Sequence, residues 1–416
     1  MIGRGAQGDV NYYFDHISLL GLMGPAQTMP EYPTPILWVL TVPWLLGFGT
    51  STGFAAAFAC LMLALDAAFA YTLWRFAGHR RGQAALFWTL FIAFLGPTVY
   101  QRFDLITSVL AGWSLLLLRR DRVGAAGALV GLGAAVKLWP VALWPALCGG
   151  QRKAILRAGA GLVAVGGTAA LASLVWGGWD RLVSPLSYQS DRGLQVESVF
   201  ASVPMLLRSL GLGDYAVAIS RYQAFEIWGT GVHVWLQAAS IAGIMAYGLI
   251  AASYIVWFRR GHGRMREAAV LMVFTIAVLI VMNKTFSPQY VIWLGGPLAA
   301  TITILGGRQP NTPRHAKDGA RLRRVIYLVL ALTLLTIVVY PIGYQALVID
   351  AVSSPPVRLL VTVVLVARNA LVVWLGVELT AWVVEFLKPS AWAQVRGASP
   401  VVRQVDALQP SPQEVS

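Results

Sequence analysis

Long apolar runs separated by short polar breaks dominate the chain from Pro35 to about Phe386. Many of these runs are long enough for a hydrocarbon core of about 30 Å, which takes roughly 20 apolar residues in a helix. The pattern predicts crossings at 53–77, 84–100, 103–118, 154–176, 234–258, 267–283, 288–306, 325–346 and 357–386. The fold class is therefore an all-α polytopic membrane protein with about nine crossings. Two apolar segments do not fit as crossings. Residues 123–148 begin and end at basic loops, and they are too short for two passes and awkward for one. They also contain "KLWP" at 137–140, and proline breaks a helix. A broken, re-entrant helix pair satisfies both facts. Residues 35–48 are read as a short interfacial helix anchored by Trp38 and Trp44.

Basic clusters set the expected orientation. "HRR" at 79–81, "RRDR" at 119–122, "QRK" at 151–153, "RRGHGRMR" at 259–266 and the run 308–324 fall between the apolar segments. The positive-inside rule assigns them to the cytoplasm, with the C-terminus on the same side. Polar residues 1–33 and 177–232 then become outer loops. Nothing in 1–33 resembles an apolar export signal, so an initial transmembrane helix is expected to be missing from this chain. The expected organisation is a membrane module at 1–306, a basic loop with two further spans at 307–388, and a disordered Pro/Ser/Gln-rich tail at 389–416.

Composition changes this picture little. The chain is 57% hydrophobic and 12% charged, about half the charged fraction of an average soluble domain. The net charge of +14 is explained by the basic loops, and no basic–aromatic platform for nucleic acid is visible. Cys60 and Cys148 lie within apolar runs and read as small core residues, not as a disulfide. There is no phosphate-binding or dinucleotide fingerprint and no His/Cys cluster at ligand spacing, so no cofactor and no metal is expected.

Candidate chemistry gathers on the predicted outer side. "GDVNYYFDHI" at 8–17, "YQRFD" at 100–104, "YQSDRGLQVES" at 188–198 and "NKTFSPQY" at 283–290 combine acids, cations and tyrosines. A carboxylate can activate a hydroxyl, Arg and Lys can hold phosphate, and aromatic faces can stack on sugars. An enzyme joining a lipid-borne sugar to a hydroxyl needs these together.

The ordered set "DVNYYFDHI…EYP", "RFD", "GLGAAVKLWPVALWPAL", "RGLQVES" and "SPQYVIWL" resembles the polyprenyl-phosphate-sugar-dependent glycosyltransferases of the GT-C superfamily, and most nearly the bacterial mannosyltransferase-like glycosyltransferase family 87. The resemblance covers most of residues 9–300. It implies a GT-C fold whose first outer loop follows a first transmembrane helix and bears the catalytic acid, which is Asp9 here. It also implies inverting transfer without a nucleotide site, at the plasma membrane. The donor would be a polyprenyl-phosphate sugar, with mannose the family's commonest. Acceptors of related enzymes include phosphoinositol glycolipids and envelope polysaccharides.

Within that frame Asp9 is the expected base, with Asp15 on another helical face. Arg192, beside Gly193, is the first choice for the donor phosphate, followed by Lys284 and Lys137. For Lys137 a structural pair with Asp66 is the competing role. Tyr12, Tyr13, Glu31, Tyr32, Arg102, Asp104, Glu197, Gln289 and Tyr290 are expected around the sugar and acceptor. Three alternatives stay open. Glu31 can instead cap the following helix, Arg102 and Asp104 can form a local ion pair, and Glu197 can orient Arg192. His16 and His233 are weaker candidates for sugar contacts. Arg368, Glu378 and Glu385 are expected only to pair within the bundle or to face the cytoplasmic interface. A transporter or flippase, and a polysaccharide polymerase or ligase, are the rival classes.

Overall fold

A computed structural model describes residues 8–76, 82–260, 263–306 and 313–388. The basic loop at 79–81, residues 261–262 and 307–312, with His79 and His262 among them, and the tail from 389 lie outside the described residues. The described chain is a helical bundle, and seven of its helices are long and apolar enough to cross a membrane.

The chain opens with α1 (Gly8–Ser18) and the short α2 (Ile36–Leu46). At about 1.5 Å per residue α2 spans roughly 16 Å, which is too short to cross. Then come α3 (Ser51–Phe76), α4 (Gly82–Leu95) and α5 (Asp104–Arg119). The re-entrant segment follows as α6 (Val123–Val136), a break at Lys137, and a 3₁₀ turn from Trp139 to Leu143 that leads into a helical turn ending at Cys148. Pro140 explains the break, because it lacks an N–H and clashes with a helical carbonyl four residues back. Lys137 takes an extended conformation there, φ −156° and ψ 131°. The chain returns to the basic end of the bundle, where Gly263 N–H donates to the Gly149 carbonyl. Lys137 is thus the tip of a hairpin that enters and leaves on one side. α7 (Arg152–Leu162) packs against α6 through glycines, and a side chain on Gly127 or Gly161 would collide with the facing backbone. Small residues at such crossings let helices approach closely.

α8 (Thr168–Ser190) departs from expectation. It bends at Gly178, where φ is +78°, and stays helical to Ser190, so the first quarter of the predicted outer loop is helix. The rest holds α9 (Ser202–Ser209) and a two-stranded antiparallel hairpin, β1 (Ala216–Ile219) with β2 (Phe225–Trp228), which the apolar pattern did not announce. α10 (Val232–Arg259) and α11 (Met265–Val281) follow, then α12 (Ile292–Leu305), α13 (Pro313–Ile337) and α14 (Pro355–Leu387).

α4 and α12 reach spanning length together with their adjoining 3₁₀ turns, as Gly82–Gln101 and Pro288–Leu305. Two of the nine predicted crossings, α5 and α11, have 16 and 17 residues. They fall short of the usual spanning length, and nearly every α11 side chain is buried within the bundle. α5 and α12 form the tightest pair. Ser108 Oγ donates to the Ile292 carbonyl at 2.6 Å and accepts from Gly296 N–H at 2.9 Å, which satisfies polar groups without water. Cys148 is buried as expected, whereas Cys60 is exposed on the outside of α3, and both are free thiols.

One end of the bundle is basic. There Arg120 lies over Phe76, Arg119 donates to the Thr303 carbonyl, and Arg266 pairs with Asp318. Glu378 is held by Arg321 and Arg324, and Glu385 by Arg321, so these two acids do pair within the bundle. The polar segments that carry the candidate residues meet at the opposite end.

Candidate active site

α1 buries Val10, Tyr13 and Ile17 on one stripe, which turns Asp9, Tyr12 and His16 toward the rim. Asp9 Oδ2 forms an ion pair with Arg102 Nη1. Arg102 Nη2 also donates to the Tyr340 hydroxyl at 3.0 Å. This replaces the local Arg102–Asp104 pair as a reading of "RFD". Arg102 is extended, at φ −133° and ψ 130°, while Asp104 starts α5, so the two side chains leave the corner in different directions.

Asp104 is buried and faces the hairpin tip. Its Oδ1 accepts from Lys137 Nζ at 2.7 Å and from Trp293 Nε1 at 2.5 Å. The rings of Tyr32, Phe103, Tyr290 and Trp293 surround the same ammonium at 5.1–5.7 Å. The expected Lys137–Asp66 pair is therefore overturned. Asp66 instead accepts from Trp88 Nε1 and the Tyr100 hydroxyl, each at 2.6 Å. The hairpin lifts Lys137 to the level of the α5 N-terminus, and neutral donors within the bundle satisfy Asp66. An ammonium enclosed by a carboxylate and four rings is also poorly presented to a phosphate, which leaves Arg192 and Lys284 as the cations at the open cleft.

Glu31 Oε1 accepts from the Tyr12 hydroxyl at 2.6 Å. No side chain caps α2, so Glu31 does not take the capping role. Burial pushes its carboxyl above the usual range, although the Tyr12 hydrogen bond pulls the other way. The loop that carries Glu31 is held by Arg181, whose guanidinium donates to the carbonyls of Pro25, Thr28, Met29 and Tyr32 at 2.8–3.3 Å. Tyr13 is fully buried against Phe58 and Phe103, and it forms the back wall rather than an open face. Tyr290 stacks on Trp293 at 4.2 Å, and Gln289 accepts from the Ser287 hydroxyl.

Glu197 does not orient Arg192. Its Oε2 accepts from Arg368 Nη1 at 2.9 Å and its carbonyl from Arg368 Nη2 at 2.5 Å. Asn369 donates to the Ser198 carbonyl and to Ser202 Oγ. Burial pushes the Glu197 carboxyl up to about 7, with Arg368 opposing. Arg368, expected to pair within the bundle or to face the cytoplasmic interface, thus belongs to this end of the bundle, as does Tyr340, which the sequence reading did not single out. An arginine in the middle of an apolar span is a signal that could have found the first. For the second the signal is the tyrosine before Pro341, since the residue before a proline is pushed to extended backbone. Tyr340 has φ −140° and ψ 124°, which swings it off the helical path.

Arg192 donates to Gln195 Oε1 at 3.2 Å, and Lys284 donates to the Ser190 carbonyl at 2.7 Å. Both line a cleft of about 370 Å³ with Leu236, Gln237, Ser240 and Ile241 of α10. Burial lowers the Lys284 ammonium from its usual range, with Glu226 opposing. Glu226 lies so close to Gly193 that a Cβ there would strike its carboxylate. The glycine therefore admits a carboxylate, not a ligand. Among the described residues no group of three His, Cys, Asp or Glu side chains could hold a metal ion.

A polytopic helical bundle with acids, cations and aromatic rings converging at one end defines a membrane protein with a polar, charged site at one end of its bundle. Residues 31–288, more than half of the chain, match the sequence model of glycosyltransferase family 87, and the chain belongs to that family, which is GT-C-like. No curated protein and no solved structure matches the chain. Tyr340, Arg368 and Asn369 lie beyond the matched segment.

Proposed function

We propose that this membrane glycosyltransferase is an inverting enzyme. It takes a sugar, with mannose as the first candidate, from a polyprenyl-phosphate donor and gives it to a hydroxyl of a glycolipid or glycan on the extracytoplasmic face of the plasma membrane. Asp9 accepts the proton of the acceptor hydroxyl as that oxygen attacks the anomeric carbon. The bond from that carbon to the phosphate oxygen breaks on the opposite face, and the phosphate leaves with the electron pair. Arg192 and Lys284 hold the departing phosphate. Its charge grows during the step, so these cations stabilise the transition state more than the ground state. The C-terminus is cytoplasmic in this reading, on the side of the basic loops.

The observation that carries the reading is the composition of the Arg192–Lys284 cleft. Its polar wall has two cations, and its other wall is the apolar surface of α10, including Leu236 and Ile241. A phosphate with an isoprenoid tail matches both walls at once. A chain of electrostatic neighbours leading from Asp9 toward Arg192 supports its inclusion in the same site. Its partner Arg102 lies within electrostatic range of Glu197 and Tyr344, and Tyr344 lies within range of Arg192. The match to a glycosyltransferase family weighs against the transporter reading.

The test is transfer of radiolabel from polyprenyl-phosphate mannose in membranes that contain the full chain, with a panel of acceptors. Labelled product is expected from the wild type. In Asp9→Asn its rate should fall by about 10²–10⁴, the usual worth of a positioned base. Uptake into proteoliposomes without product would instead favour a transporter.

A further inference from the structure

Glu31 and Asp104 are half-satisfied in the same way. Tyr12 donates to one oxygen of Glu31, and Lys137 and Trp293 donate to one oxygen of Asp104. The other oxygens, Glu31 Oε2 and Asp104 Oδ2, are buried and have no protein donor. The Asp104 side chain is only 1% exposed. The two carboxylates share neighbours, since the hydroxyls of Tyr13 and Tyr32 lie within electrostatic range of both. Native proteins leave few buried polar atoms unpaired, so two unpaired acceptors flanked by the same tyrosines point to a ligand that supplies donors.

The chemistry of that ligand is narrow. A phosphate would add a third anion beside two carboxylates. An isoprenoid chain would leave both oxygens unpaired, at the full desolvation penalty. An ammonium already occupies the position between Asp104 and the rings of Tyr290 and Trp293. A neutral ring bearing several hydroxyls fits. Its O–H groups donate to the carboxylates, and its C–H faces lie against aromatic walls. We propose that Glu31 Oε2 and Asp104 Oδ2 each accept a hydroxyl of one pyranose ring, and so form the hydroxyl-reading subsite of this enzyme. This rests on the glycosyltransferase reading and sharpens it: the phosphate is held on the Arg192 side, and the sugar is identified on the Glu31–Asp104 side.

The test pairs protein variants with substrates that lack one hydroxyl. The full chain in lipid nanodiscs transfers sugar from polyprenyl-phosphate mannose, or its monodeoxy analogues, to octyl α-mannoside, or its monodeoxy analogues. With the wild type, deletion of one or two neighbouring hydroxyls on one of the two sugars should lower kcat/KM about 10–100-fold. In Glu31→Leu the parent substrate should lose a similar factor, and the same deletion should then cost less than about 3-fold. Asp104→Leu alone would strand the Lys137 charge. Its arm is therefore Asp104→Leu with Lys137→Met, which should couple to the neighbouring hydroxyl. Coupling to donor positions assigns the ring to the donor sugar, and coupling to acceptor positions assigns it to the acceptor; both support the subsite. Penalties that multiply independently at every position, while transfer persists, overturn the subsite alone. No transfer by the wild type from any polyprenyl-phosphate hexose overturns the proposed function and this inference with it.

Discussion

Arg368 of the last helix and Glu197 of the long polar segment form an ion pair at 2.9 Å, with their side chains 0% and 1% exposed. The pair ties α14 to the segment that leads to α9, across 171 residues of chain. Removing one partner of a buried, hydrogen-bonded pair leaves the other without its partner groups. Arg368→Met should therefore lower stability by about 3–5 kcal/mol, and Arg368→Met with Glu197→Gln should recover most of the loss. Thermal unfolding in detergent measures both. Burial lifts the folded Glu197 carboxyl to about 7, so the folded state holds its proton more tightly than the unfolded state. Stability from this group is full below the ordinary carboxylate range and is lost as pH rises toward 7. The pH slope in that window should flatten in Glu197→Gln.

Lys137 pairs with Asp104 and not with Asp66, so coupling should follow that partnership. Lys137→Met is expected to destabilise by about 3–5 kcal/mol, and Asp104→Asn in the same chain should restore part of it. Asp66→Asn should show no interaction energy with Lys137→Met in a double-mutant cycle. Melting temperatures of the four chains of each cycle decide this.

The two cleft cations should act on donor binding. Arg192→Gln and Lys284→Gln are each expected to raise KM for a polyprenyl-phosphate donor about 10-fold, from the loss of a charge-assisted contact. Burial lowers the Lys284 ammonium, so it loses its charge earlier than an exposed lysine as pH rises. Donor affinity should fall on the alkaline side, and Lys284→Arg should remove that limb. Steady-state kinetics across pH supply the measurement.

Tyr340 holds Arg102 from behind while Asp9 holds it from the front. Tyr340→Phe removes one hydrogen bond, worth about 0.5–1.5 kcal/mol. The loss in kcat should stay within about 10-fold, with KM for the donor little changed. A drop as large as that of Asp9→Asn would mean that Tyr340 itself touches the reacting atoms.

Much of this protein follows from local properties. A run of apolar residues must find a low-dielectric surrounding and close its own hydrogen bonds, so length and polarity alone announce helices such as Ser51–Phe76 and Pro355–Leu387. Pro140 removes a helical hydrogen bond and clashes with the preceding turn, and it falls in an apolar run of awkward length between two basic loops, so the re-entrant pair was legible. Acids and cations in polar breaks also marked which end to examine. Partnership is another matter, because a buried charge takes the donor that three dimensions put within reach. Arg102 lies two residues from Asp104 yet binds Asp9 and a tyrosine 238 positions away. Lys137 reaches Asp104 only because the hairpin tip and the start of α5 meet at one height. Arg368 was expected to pair within the bundle or to face the cytoplasmic interface, and only the fold named Glu197 as its partner. Desolvation makes such pairings obligatory, and packing alone selects which ones form.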